Sequence, residues 1–234
     1  MSSPMSNDMP DFFGPEQARR YDERNAKLAP ISEGLFFAAS LVLEELPARA
    51  RILSVGAGTG AEVLSLARSF PGWSFVAVEP SRSMLEVCRE RVERAGIAER
   101  CELFHGYVQD LPAQPAFDAA TAFLVAHFVK REARLGFFKA IADRLRVGGT
   151  LVNAEISFDL GSSEYPAILR NWQAVQRCMG GTPESLKALP QQLAEVLAVL
   201  SPEETAAVIR SAGIAAPVRF FQAFLISAWY GVRG

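Results

Sequence analysis

The chain has 234 residues, half of them hydrophobic, with a net charge of −2, which fits one α/β domain with an added subdomain. No basic excess drives non-specific nucleic-acid binding, and no apolar run reaches the length of a membrane span. The three cysteines, Cys88, Cys101 and Cys178, are far apart and make neither a zinc spacing nor a disulfide framework, so a cytoplasmic protein is expected.

Residues 1–14 are expected to be a flexible tail; Met1 to Pro10 is polar and lacks the apolar core of a signal peptide. Residues 15–29 suggest a helix or ordered arm, and Pro30 and Ser32 start a helix to about Leu46, stopped by Pro47. The first strand is Arg51 to Val55, followed by a helix from Ala61 to Ser69. The second strand is Ser74 to Val78, and Pro80-Ser81 opens a helix that Gly96 ends. Cys101 to His105 and Phe117 to Phe123 are the next strands. A helix is expected from Lys130 to Arg146, ended by Gly148-Gly149, with Thr150 to Ile156 as the fifth strand. Strands alternating with helices imply a parallel sheet with right-handed crossovers.

The pattern then changes. Residues 159–200 hold no strand candidate but two apolar helical faces, one through Tyr165, Ile168, Leu169 and Trp172, the other through Leu193, Val196 and Leu197. They are expected to form a helical lid close to where ligands of such sheets bind. Ser201-Pro202-Glu203-Glu204 is a capping box opening a helix that ends at Gly213. Val218 to Phe221 and Phe224 to Val232 read as a closing antiparallel pair.

The stretch most informative about chemistry is Gly56-Ala57-Gly58-Thr59-Gly60, between the first strand and its helix. Glycines let the backbone turn sharply and clear side chains from a ligand's path. The helix start offers unpaired N–H groups to a carboxylate or other anion. The second strand runs into Glu79, whose carboxylate can accept both hydroxyls of a ribose. A dinucleotide and S-adenosylmethionine (SAM) both fit such an arrangement, but a dinucleotide asks for G-x-G-x-x-G and this chain has G-x-G-x-G.

The glycine turn, the acidic strand end, Phe117-Asp118, Leu145-Arg-Val-Gly-Gly149 and the final hairpin stand in the order of the class I SAM-dependent methyltransferases, which the chain resembles over residues 20–232. The resemblance implies a Rossmann-like α/β fold: a seven-stranded, mostly parallel sheet in the order 3-2-1-4-5-7-6 within a domain spanning residues 15–234. It implies SAM as cofactor and S-adenosylhomocysteine as product. By position, Gly56, Ala57, Gly58, Thr59 and Gly60 would pass the methionine and ribose, and Glu79 would hold the ribose hydroxyls. Pro80, Ser81, Met84, Tyr107 and Val108 would lie along the adenine, and Phe123 and Leu124 beside the sulfonium. Many relatives have an Asp where Tyr107 stands.

A narrower resemblance links Tyr21-Asp22-Glu23-Arg24, Gln176 to Gly180, Leu193 to Val196 and Phe220 to Phe224 to the carboxy-SAM synthases of tRNA wobble-uridine modification. That family uses a lid arginine to bind the added carboxylate; alignment on Leu193 to Val196 puts Pro190 there. A buried unpaired carboxylate is costly, so ordinary methyl transfer to a small-molecule acceptor is the favoured expectation. A synthase-like enzyme or a non-catalytic SAM-binding protein is the alternative.

His127, at the carboxyl end of the fourth strand, is the general-base candidate, against a space-filling structural role. Tyr21 and Arg24 are candidates to close over SAM from the N-terminal arm; Tyr165, Trp172, Arg170 and Arg177 on the lid, with Gln222, are candidates for the acceptor side. No metal is expected, nor a nucleic-acid or membrane partner, and the chain would act as a monomer or homodimer.

Overall fold

The computed structural model describes residues 15–234, and the expected tail over 1–14 lies outside the described residues. Helix α1 (Pro15–Asn25) runs through a 3-10 turn into α2 (Ala29–Val42). Seven strands follow: β1 (Arg51–Val55), β2 (Ser74–Glu79), β3 (Cys101–His105), β4 (Phe117–Phe123), β5 (Leu145–Ile156), β6 (Ile214–Ala223) and β7 (Ile226–Arg233). The crossovers carry α3 (Ala61–Ser69), α4 (Arg82–Arg94) and α5 (Arg134–Ala142). After β5 come α6 (Tyr165–Cys178), α7 (Pro183–Gln191) with a π-turn, and α8 (Pro202–Ser211).

The strands form one sheet in the order β3-β2-β1-β4-β5-β7-β6. β1 to β5 pair in parallel, and β7 runs antiparallel to both β5 and β6. This is the expected topology, and its cause is visible in burial. Ile52, Leu53, Ala119 and Ala120 are fully buried, because a parallel sheet covered on both faces needs apolar side chains on both. One core lies under α2 and α3, with Ile52, Phe75, Ala119 and Val152. The other lies under α5 and α8, with Leu53, Val76, Phe138 and Trp229.

Several boundaries differ from expectation. β5 begins at Leu145, inside the stretch expected to be helical. Leu145 pairs with Phe117, and the register then shifts so that Ala119 meets Thr150. The Gly148-Gly149 pair therefore sits in a strand irregularity; a Cβ on Gly149 would lie 2.9 Å from the Arg146 carbonyl oxygen. The preceding helix is correspondingly short, Arg134–Ala142 after a 3-10 turn. α2 stops at Val42, before Pro47; β6 is longer than the apolar run that marked it, and β7 begins at Ile226, two residues later than expected.

The segment between β5 and α8 is helical and packs on its own small core of Phe158, Trp172, Leu189, Leu193, Val199, Leu225 and Ile226. Its two ends are stapled together. Ser157 bridges Leu200, the Phe158 N–H donates to the Leu200 carbonyl at 3.0 Å, and the Ser157 hydroxyl donates to the same oxygen at 2.9 Å.

Candidate cofactor and acceptor site

The glycine turn takes the conformation its residues permit. Gly56, Gly58 and Gly60 have φ of +67°, +54° and +80°, the region that disfavours every residue with a Cβ. Two of the three are also crowded. A Cβ on Gly56 would meet Val125 Cγ2 at 2.6 Å, and one on Gly60 would meet Cys88 Sγ at 2.7 Å. At Gly58 the nearest atom to such a Cβ is Met84 Cε at 3.5 Å.

Glu79 is buried at the tip of β2. Its Oε2 accepts from the Gly58 N–H at 2.9 Å, and its Oε1 accepts from the Ser81 N–H at 2.8 Å. Ser81 in turn caps α4, its hydroxyl accepting from the Met84 N–H at 3.3 Å. One carboxylate thus joins the glycine turn to the start of the next helix.

Behind the turn lies a group sequence reasoning missed. Glu62, in the first turn of α3, is buried, and Ser54 and Thr121 donate to its Oε1 at 2.7 and 2.6 Å. Burial pushes its carboxyl up to about 7, although both hydroxyls favour the charged form. The acid ties α3 to β1 and β4.

Helix α1 reaches the same turn. The Thr59 hydroxyl donates to Asp22 Oδ1 at 2.7 Å, and Arg91 Nη1 of α4 donates to Asp22 Oδ2 at 2.8 Å and to Thr59 Oγ1 at 3.0 Å. Tyr21 is half-buried beside them; burial first, then the Asp22 and Glu79 carboxylates, raises its phenol above the ordinary value. Arg24 is exposed.

Along the adenine side, Met84 and Val108 are buried. The Tyr107 N–H donates to Asp110 Oδ2 at 2.8 Å, which fixes the turn after β3. At the end of β4, Phe123 stacks on Phe36 of α2 with centroids 5.9 Å apart. Leu124 stands at φ +58°, a strained value for a branched side chain, and its N–H donates to the Ala154 carbonyl at 2.6 Å. Leu124 packs against the lid core, as do Ile31 and Tyr165.

The general-base expectation for His127 meets a different environment. The ring is 3 % exposed, and Nδ1 accepts from the Ile156 N–H at 3.3 Å. Burial and then Arg134 lower its pKa to about 3. A group that holds a proton so weakly is a poor base near neutrality, so the ring reads as a structural acceptor. Its neighbour Arg134 is fully buried, pairs with Glu155 at 2.7 Å and donates to the Val129 and Ala198 carbonyls. Thr205 donates to the other Glu155 oxygen at 2.7 Å. Trp172 is buried in the lid core, whereas Gln222 is exposed and donates to the Phe224 carbonyl at the hairpin. Arg170 and Arg177 are exposed on α6.

Residues 52–149 match a family model described as a methyltransferase domain. Over that stretch the chain is similar to methyltransferase domains, and its sheet order is that of the class I SAM-dependent methyltransferase fold. The carboxy-S-adenosyl-L-methionine synthase of Klebsiella pneumoniae (strain 342) is 24% identical over 186 residues, covering 78% of this chain and 74% of that protein. A solved structure of a putative O-methyltransferase from Nostoc punctiforme aligns with TM-score 0.69 and 16% identity, covering 97% of this chain and 64% of that one. The structure of PigF with SAH aligns with TM-score 0.67 and 19% identity, covering 98% of this chain and 64% of that one. Two further curated relatives, at 40% and 34% identity, match shorter stretches, and the chain spans about a quarter of their length. No helix among the described residues is long and apolar enough to cross a membrane.

The residues of the methyltransferase domain fit SAM. Glu79 places a buried carboxylate at the tip of β2 beside the glycine turn, the position from which an acid accepts ribose hydroxyls. The glycines keep side chains out of the turn, and Met84 and Val108 offer apolar surface for a base.

Proposed function

We propose that this chain is a SAM-dependent methyltransferase acting on a small-molecule acceptor. Glu79 carries the reading: a buried acid at the tip of β2, joined to the glycine turn and to Ser81, is the kind of group that accepts a ribose diol. Gly56, Ala57, Gly58, Thr59 and Gly60 pass the methionine and ribose. Pro80, Ser81, Met84, Tyr107 and Val108 border the adenine. Phe123 and Leu124 lie beside the reactive sulfur, with Tyr21 and Arg24 on the arm side and Tyr165, Trp172 and Gln222 towards the acceptor.

When bound, SAM supplies an already activated methyl group for in-line displacement. The protein's task is then to hold the acceptor on line and exclude water. Leu124 and the lid core supply an apolar wall for this, which suits an acceptor with an apolar body. His127 takes no proton in this reading; its Nδ1 holds the Ile156 N–H instead. The domain comprises residues 15–234 with the lid over about 159–200, works in the cytoplasm, and is a monomer or homodimer.

The match to a carboxy-SAM synthase over 78% of the chain favours a second reading, a synthase of that kind. Against it stands Pro190, within α7, at the position the resemblance gives to a carboxylate-binding arginine. Mass spectrometry of small molecules released from freshly purified protein tests the two. SAM or S-adenosylhomocysteine supports methyl transfer; a species heavier than SAM by one carbon dioxide overturns it in favour of the synthase.

A further inference from the structure

Asp22, Thr59 and Arg91 come from three separate elements and meet in one closed set of hydrogen bonds. Asp22 belongs to the N-terminal helix α1, Thr59 to the glycine turn and Arg91 to the third turn of α4. Both carboxylate oxygens of Asp22 are used, one by the Thr59 hydroxyl at 2.7 Å and one by Arg91 at 2.8 Å. Arg91 Nη1 closes the set on Thr59 Oγ1 at 3.0 Å. Thr59 is 2 % exposed, whereas the Arg91 and Asp22 side chains are 26 % and 39 % exposed. The pair is therefore screened from water on one side and reachable from the other, so it is neither a loose surface contact nor a locked core ion pair.

The three residues do not make α1 merely an attached helix. Ala18 is 1 % exposed, one turn before Asp22 and on the packed side of α1. Tyr21, the residue before Asp22, is within electrostatic reach of the Glu79 carboxylate. The helix that Asp22 fixes thus carries a side chain to the acid that is read above as the ribose holder. Thr59 lies between Gly58, whose N–H binds Glu79, and Gly60, which opens α3. Movement of Thr59 is transmitted directly to that N–H.

The geometry points to Asp22 and Arg91 as a latch that holds α1 across the glycine turn and sets how long SAM stays bound. They are positioning residues: neither is assigned to contact the cofactor, and both act through Thr59 and Tyr21. The inference rests on the SAM site proposed above. Release of SAM would require the Asp22 contacts to open, and a cofactor held under the closed helix would leave slowly.

The full-length chain and the variants Asp22→Asn, Arg91→Met and Asp22→Asn/Arg91→Met test this, with SAM dissociation followed by stopped-flow and amide exchange of residues 18–25 followed without ligand. Each single variant is expected to speed SAM dissociation about threefold to fivefold, the range for a partly screened ion pair. The double variant should be no faster than the quicker single one, because the two residues form one unit. Exchange in α1 should rise while exchange in β1 and β2 stays unchanged. Dissociation rates equal to the parent's, or effects of the two substitutions that multiply independently, would overturn the latch while leaving the SAM site standing. A parent chain that binds no SAM would overturn both.

Discussion

The Glu79 carboxylate accepts the Gly58 N–H at 2.9 Å, joining the tip of β2 to a turn 21 residues earlier in the chain. The bond holds the glycine turn against the tip of β2. The Ser81 N–H completes the clamp, so the same acid that faces the proposed ribose also organises the backbone around it.

Glu62 makes stability depend on pH in an unusual direction. Burial raises its folded-state value to about 7 from an ordinary 4.5, so the folded chain holds a proton that the unfolded chain has released between those values. The stability it contributes is complete below about pH 4.5 and is lost as pH rises through about 7. Glu62→Gln keeps an acceptor for Ser54 and Thr121 and carries no charge. Urea unfolding at pH 8 should find that variant more stable than the parent, by up to about 3 kcal/mol, with the difference gone at pH 4.5.

His127 contributes with the opposite slope. Its folded-state value is depressed to about 3, so its contribution is complete above the ordinary 6.5 and is lost as pH falls from there towards 3. His127→Ala removes the acceptor of the Ile156 N–H and opens a cavity, an expected loss of about 2–4 kcal/mol. Once an acceptor is known, turnover measured well below the melting temperature should change little. A large fall in kcat with an unchanged melting temperature would restore the general-base assignment.

Arg134 and Glu155 form a fully buried ion pair at the end of β5, beside the staple that closes the lid. Arg134→Met leaves the Glu155 charge uncompensated and should cost about 3–5 kcal/mol. Replacing both partners together, as Arg134→Met/Glu155→Leu, should cost clearly less. Thermal unfolding of the two variants beside the parent checks the order.

The sheet order was readable in the sequence because each parallel strand is a short apolar run bounded by a turn, and Gly56 to Gly60 with Glu79 marks its first crossover. The start of β5 was not. Leu145 fits a helical face as well as a strand, and only its pairing with Phe117 decides between them. His127 stands after β4 as expected, but its burial and the bond from Ile156 depend on packing that no local pattern records. Asp22 and Arg91 are 69 residues apart, and neither has a sequence signature that pairs it with the other. Glu62 follows the glycine turn closely, yet its partners lie on two different strands.

Calorimetric titration of the parent chain and of Glu79→Gln with SAM tests the central claim most directly. The account predicts binding of about micromolar strength for the parent. It predicts about tenfold to a hundredfold weaker binding for Glu79→Gln, since hydrogen bonds to a charged acceptor are worth more than those to an amide. Circular dichroism should show the variant folded. Binding of SAM with equal affinity by both chains, or by neither, would contradict it.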